Sequence, residues 1–286
     1  MINRRTYNWK CRNRTLKLGE RTLVMGILNV TPDSFSDGGD FSDPGKAIEH
    51  ALEMIEHGAN IIDIGGESTR PGADSVSEVE EIKRTVPIIE KIREQSDIPI
   101  SIDTMKAEVA FQALEAGANI INDVSAFESD PGMVKIAAQT GAGVVLMHKQ
   151  GIPQTMQDDP TYENVVEEVC DYLKTRMDFA AMNGVSRNAI CIDPGIGFGK
   201  TLEHNLALMR GLPKLTACGC PILIGASRKS FIGAITGRAT PTERLAGSLG
   251  VAGWSIALGT HILRVHDVID TCDVCRIVDI LSSGES

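Results

Sequence analysis

The chain has 286 residues, with 28 Lys+Arg against 38 Asp+Glu and a formal charge of −10. That length holds two ordinary domains or a single α/β barrel of about 250 residues, and 4% aromatics with 28 glycines suit a tightly turned α/β protein better than a β-sandwich. The acidic balance argues against general binding to nucleic acid or anionic membrane, which both require a basic face, and no apolar run reaches the roughly 18 residues of a membrane span.

The charge is uneven. Residues 1–21 hold seven basic groups (Arg4, Arg5, Lys10, Arg12, Arg14, Lys17, Arg21) against Glu20, and the remaining 265 residues carry a net −16. Apolar and polar residues alternate over 16–23 around Gly19, which predicts a hairpin. Residues 1–21 are therefore expected to form an N-terminal hairpin extension, with 22–286 as the main domain. A targeting segment is the weaker alternative, and no secretory apolar region is present. The seven cysteines are an odd number, so free thiols and a reducing compartment are expected. Cys218-Gly-Cys220 and Cys272-Asp-Val-Cys275 lack the pattern of a zinc site and are expected to be buried or incidental.

Short aliphatic runs occur at 23–30, 60–64, 98–102, 119–124, 143–147, 189–192, 221–224 and 261–265. Between them, 47–57, 79–94, 105–116 and 162–183 have helical spacing. Continuous apolar strands alternating with amphipathic helices predict βαβ units and a buried parallel sheet. His57-Gly-Ala-Asn-Ile-Ile-Asp63 is echoed by Ala116-Gly-Ala-Asn-Ile-Ile-Asn122, and more loosely at 140–146 and 258–264. Each glycine fits the left-handed position that ends a helix. Eight such units without a linker predict one (β/α)8 TIM barrel.

In that architecture chemistry belongs to the carboxyl ends of the strands. Those ends read Asn29; Asp63 with 67–72; Asp103; Asn122-Asp123; Met147-His148; Asp193; Ser227-Arg-Lys-Ser230; and Arg264-Val-His266-Asp267. The stretch Gly195-Ile-Gly-Phe-Gly-Lys-Thr201 is not a P-loop, because Pro194 stands where a glycine is required, nor a dinucleotide fingerprint, whose third glycine falls on Lys200. No Gly-x-Ser-x-Gly elbow or clear metal-ligand cluster is present. Arg70, Lys229, Arg264 and His266 form an anion-binding set, and Asp63, Asp103, Asn122 and Asp193 are placed to clamp a donor-rich heterocycle. A helix cap or rim salt bridge is the competing role for each carboxylate.

Met25-Gly-Ile-Leu-Asn-Val-Thr-Pro-Asp-Ser-Phe-Ser-Asp-Gly-Gly39 and Asp63-Ile-Gly-Gly-Glu-Ser-Thr-Arg-Pro-Gly-Ala73 resemble the two signatures of dihydropteroate synthases. Ser101-Ile-Asp-Thr104, Ile120-Ile-Asn-Asp-Val124, Met147-His148, Asp193-Pro-Gly-Ile-Gly-Phe-Gly-Lys200, Ser227-Arg-Lys-Ser230 and Arg264-Val-His-Asp267 follow in the family's order. The departures are Lys149 in place of an apolar residue and Ser125-Ala126 in place of a more glycine-rich turn.

The resemblance implies condensation of p-aminobenzoate with (7,8-dihydropterin-6-yl)methyl diphosphate in folate biosynthesis, and a sulfonamide target. It implies Asp103, Asn122, Met147, Asp193 and Lys229 as pterin ligands, and Asn29, Arg70, Arg264 and His266 as diphosphate ligands, with Mg²⁺ held with help from Asn29. Thr69, Pro71, Phe198, Ser227 and Ser230 are the implied p-aminobenzoate pocket. Asn29, Arg70, Lys229, Arg264 and His266 are the expected catalytic set. The loops 31–39 and 68–73, rich in Gly, Pro, Ser and Asp, are expected to close over substrates, with Phe35 as apolar cover and Asp33 as a cation partner. A homodimer through late helices such as 245–258 and a cytoplasmic, stand-alone enzyme are further implications. Runner-up readings are a methyltetrahydrofolate/corrinoid methyltransferase barrel and a catalytically silent pterin-binding barrel.

Overall fold

The computed structural model describes residues 4–30, 44–68, 75–151 and 155–283. The chain enters as an antiparallel hairpin, β1 (Tyr7–Cys11) and β2 (Arg14–Leu18). Its turn is Arg12-Asn13, with Cys11 opposite Arg14, and not the Gly19 turn expected from the alternation. Leu16 and Leu18 do lie on a strand, but its partner precedes it, because Leu23 is claimed by the main sheet through its pairing with Ile262. Gly19 instead sits where a Cβ would lie 2.5 Å from Arg5 O, at φ +106°, so only glycine fits. The basic residues of this segment work as local fasteners. Arg4 pairs with Asp279 at 2.9 Å, Arg14 with Asp97 at 3.1 Å, and Arg12 donates to Ala118 O at 3.2 Å.

Eight strands then alternate with helices in chain order: β3 (Leu23–Asn29), α1 (Pro44–Glu56), β4 (Ile61–Gly65), α2 (Glu78–Arg93), β5 (Ile100–Asp103), α3 (Ala107–Glu115), β6 (Ile120–Asp123), α4 (Met133–Thr140), β7 (Gly143–Met147) and α5 (Val165–Met182). The second half continues with β8 (Ile190–Asp193), α6 (Leu202–Arg210), α7 (Leu212–Leu215), β9 (Leu223–Ile224), α8 (Ser230–Thr236), α9 (Leu245–Ala257), β10 (Ile262–Val265) and α10 (Val268–Ser283). The strands are all parallel in the order β8-β7-β6-β5-β4-β3-β10-β9. A parallel bridge between Ile192 and Ile222, with Ile192 N–H donating to Pro221 O at 3.0 Å, brings the two edges together as a barrel.

Strand alternation divides the aliphatic residues into two layers. Ile62, Ile64, Ile100, Ile102, Val144, Leu146, Ile190 and Ile192 face the helices and belong to the larger core. Leu23, Met25, Ile61, Ile120, Val145, Cys191, Leu223 and Ile262 face inward and pack with Trp9, Cys11 and Leu18 of the hairpin. The hairpin thus plugs the amino-terminal end of the barrel. Trp9 is fully buried there, its indole N–H donating to Ala189 O at 2.7 Å. Gly143 permits the plug to seat, since a Cβ at that position would lie 2.5 Å from Cys11 Sγ.

Candidate active site

Because side chains alternate with a period of two, each inward apolar residue is followed two positions later by another inward residue nearer the carboxyl end. Ile61 is followed by Asp63, Ile120 by Asn122, Val145 by Met147, Cys191 by Asp193 and Ile262 by Arg264. Register aligns Asn29 with Gly65, Gly65 with Asp103, Asp103 with Asn122, and Met147 with Asp193. β4, β5, β6, β8 and β10 therefore present polar side chains, Asp63, Asp103, Asn122, Asp193 and Arg264, above an apolar plug, with Met147 as the apolar member on β7.

Arg264 is the centre of that set. Its Nε donates to Asp63 Oδ2 and its Nη2 to Asp103 Oδ2, both at 2.6 Å. Asn122 Nδ2 donates to Asp63 Oδ2 at 3.3 Å. The expectation that Asp63 clamps a heterocycle is thus revised, because its carboxylate is fully buried and occupied by Arg264 and Asn122. Burial disfavours the Arg264 charge, but Asp63 and Asp103 outweigh this and hold it above the usual guanidinium range. Asp103 is shifted up by burial, against the pull of Arg264. Its Oδ1 is buried and has no hydrogen-bond partner among the described residues, an arrangement that costs about 1–3 kcal/mol unless a ligand donates.

Lys229 and Asp193 form the second pole. Lys229 Nζ donates to Ile196 O and lies 4.4 Å from the centroid of the Phe198 ring. Burial lowers the Lys229 ammonium to about 8, partly opposed by Asp193. Burial raises Asp193, opposed first by Lys229; its Oδ1 accepts from Gly195 N–H at 2.7 Å. Gly225 leaves room between the poles, since a Cβ there would meet Asp193 Oδ2 at 3.7 Å and Arg264 Cβ and Cδ at 3.8 Å. His266 Nδ1 and Ser227 Oγ are 3.1 Å apart, and the His266 backbone N–H reaches the same hydroxyl at 3.3 Å. Ser227 is therefore placed beside the diphosphate candidate His266. Ser230 is exposed at the start of α8.

Sequence reasoning missed several pairings. Asp123 is a turn staple: its oxygens accept from Ser125 N–H at 2.7 Å and Phe127 N–H at 2.8 Å. Lys106 joins Glu67, just after β4, to Glu81 of α2, and Arg228 pairs with Asp267 through Nε at 3.0 Å. Buried Lys200 is bonded to His148. Only the Asp-to-Arg strand-end placement hinted at any of these. The cysteines are unpaired, and no group of three or more His, Cys, Asp or Glu poised for a metal occurs among the described residues. Arg70, Thr69, Pro71, Asp33 and Phe35, with most of the two expected closing loops, lie outside the described residues.

The fold and the site define a barrel enzyme whose mouth joins buried carboxylate acceptors to a cationic cluster. The chain matches the model of the pterin binding enzyme family over residues 25–266. A dihydropteroate synthase of Synechocystis sp. is 50% identical over 263 residues, covering 92% of this chain and 91% of that protein. The Yersinia pestis dihydropteroate synthase, solved with a sulfonamide drug complex, gives a TM-score of 0.92 at 42% identity, covering 97% of this chain and 100% of that one. The Xanthomonas albilineans dihydropteroate synthase with 4-aminobenzoic acid gives 0.90 at 43% identity, covering 98% and 99%. The chain belongs to the dihydropteroate synthase family.

Proposed function

We propose that this chain condenses (7,8-dihydropterin-6-yl)methyl diphosphate with p-aminobenzoate, giving 7,8-dihydropteroate and pyrophosphate. The observation that carries this reading is the partnerless, buried Asp103 Oδ1 beside Asn122. A pterin offers ring and amino N–H groups along one edge, and the carboxylates of Asp103 and Asp193 with the Asn122 amide are acceptors for such an edge. Met147 is a buried apolar neighbour at the same level, and Lys229 reaches the opposite rim. Arg264 spends Nε and Nη2 on the two carboxylates, so Nη1 is the nitrogen directed to the diphosphate, with His266 and Arg70 as further ligands.

The methylene C–O bond breaks with its electron pair leaving on pyrophosphate, and the arylamine nitrogen forms the new C–N bond and releases a proton to solvent. The arylamine is already neutral at pH 7, so the step requires no strong general base. The chain's own contribution is to orient the two rings and to oppose the charge that develops on the leaving group.

For Mg²⁺, Asn29 would supply one amide oxygen, to which a Cβ at the neighbouring Gly65 would come within 3.7 Å. One hard oxygen ligand fits a Mg²⁺ that arrives on substrate phosphates, not one caged by protein; it would neutralise diphosphate charge. Thr69, Pro71, Phe198, Ser227 and Ser230 are assigned to the p-aminobenzoate pocket, with Phe35 and Asp33 on the covering loop.

Purified chain should release pyrophosphate only when both substrates are present. Methyl transfer from methyltetrahydrofolate without pyrophosphate release would support the methyltransferase alternative, and binding without turnover the silent barrel. The low value of Lys229 gives a pH signature. Its charge is lost as pH rises through about 8, so kcat/KM for the pterin diphosphate should fall above that pH. Lys229→Arg should move this alkaline limb upward by more than about one unit, because a guanidinium stays protonated. A limb unmoved by the substitution would remove Lys229 from the reaction.

The proposed assembly is a homodimer with a second copy covering α9 and α10, which pack together and expose Trp254, Ile277 and Leu281 at 52, 61 and 70%. Sedimentation of a Trp254→Lys, Ile277→Lys variant should show a monomer. Free thiols support a reducing, cytoplasmic setting. No helix of the described residues is long and apolar enough to cross a membrane.

A further inference from the structure

The turn between β8 and α6 ends in Lys200, which is only 3% exposed. Its ammonium donates to His148 Nδ1 and to Phe198 O, each at 2.9 Å, and approaches His148 O at 3.4 Å. His148 follows β7, is itself buried, and sets its ring edge-on to Tyr172 at 4.8 Å between centroids. The same turn is held at Gly199 O by the Tyr162 hydroxyl, at 2.8 Å, and at Gly197 N–H by Asn205 Oδ1, at 2.7 Å. The contacts of Lys200, Tyr162 and Asn205 all bear on the short stretch that carries Phe198 and the Ile196 carbonyl that meets Lys229.

A buried lysine is an expensive way to fill space. Burial lowers Lys200 to about 7, and burial with the Lys200 charge lowers His148 to about 3, leaving His148 neutral and its Nδ1 free to accept. Burying an ammonium is costly unless it is hydrogen-bonded, and here His148 and the Phe198 carbonyl accept from it. What the lysine adds is direction: one donor group joins the end of β7 to the backbone of Phe198. In turn Phe198 presents its ring to Lys229 at 4.4 Å.

We propose that Lys200 is a positioning residue for the arylamine subsite, tying the Phe198 backbone to the end of β7 so that the Phe198 ring keeps the place against which p-aminobenzoate packs. This rests on the assignment of Phe198 to the p-aminobenzoate pocket. Lys200 does not touch substrate; it acts through the Phe198 carbonyl.

The test compares Lys200→Met, Lys200→Gln and Phe198→Ala in the full chain, with KM for p-aminobenzoate, KM for the pterin diphosphate and the unfolding midpoint measured for each. Lys200→Met should raise KM for p-aminobenzoate about tenfold while KM for the pterin changes by less than about twofold. Lys200→Gln, whose amide restores part of the donor set, should show a smaller rise. If Phe198→Ala raises the p-aminobenzoate KM and neither Lys200 variant does, the proposal is overturned and the pocket assignment stands. If Phe198→Ala leaves that KM unchanged, the pocket assignment fails and the proposal with it. Should Lys200→Met not fold, Lys200→Gln decides alone. An equal rise in both KM values, or unfolding of both variants, assigns Lys200 to the scaffold and also overturns the proposal.

Discussion

Arg264→Met is expected to abolish most activity and to destabilise the chain at once. The substitution removes the cation between Asp63, which is fully buried, and Asp103, which is 6% exposed. Two buried carboxylates would then face one another, and breaking a buried pair in this way costs about 3–5 kcal/mol. Raising the pH should worsen the defect, because burial already shifts Asp103 upward and without Arg264 its proton is needed to relieve the repulsion. Activity should fall by about 10²–10³ in kcat/KM, the usual scale for losing a group that stabilises a developing anion. Arg264→Lys should recover stability better than activity, since an ammonium lacks the fork that serves both carboxylates and a phosphate. Pyrophosphate release and denaturant unfolding measured across pH 6–9 check both halves; a variant with unaltered kcat/KM would remove Arg264 from the chemistry.

Trp9→Ala should produce the opposite division of effects. The indole is fully buried in the plug of the barrel and bonded to Ala189 O, while the reacting groups lie at the other end of the same strands. Deleting a buried tryptophan costs about 3–5 kcal/mol, equivalent to a fall in Tm on the order of 10 °C for a chain of this size. Below the new transition, kcat should stay within about twofold of the parent. Scanning calorimetry with assays well below the transition tests the separation. A large loss of kcat in fully folded Trp9→Ala would mean that the plug shapes the mouth.

These two residues also mark how far the chain can be read without its fold. The barrel was legible because eight aliphatic runs recur and because the glycines of the repeat, Gly58 at φ +99° and Gly117 at φ +117°, do end helices before strands. The strand ends were legible because most runs break into polar residues at one end, as at Asp63, Asp103, Asn122, Asp193 and Arg264. The hairpin was legible as alternation, but alternation does not say on which side the partner strand lies, and so the turn fell at Arg12-Asn13 instead of Gly19. The union of Arg264 with Asp63 spans 201 positions and depends on the barrel's last strand pairing beside its first, β10 on β3, which no local pattern encodes. Lys200 was read as the residue that spoils a dinucleotide fingerprint and as the last residue of a family motif, since nothing in its neighbours reveals that His148, 52 positions earlier, waits beside it.

The products formed by purified chain given (7,8-dihydropterin-6-yl)methyl diphosphate, p-aminobenzoate and Mg²⁺, identified by mass spectrometry, test the proposed reaction most directly. The expected result is 7,8-dihydropteroate and pyrophosphate in equal amounts, with Arg264→Met reducing both together. Pyrophosphate accompanied only by the hydroxymethyl pterin, with p-aminobenzoate unconsumed, would contradict it.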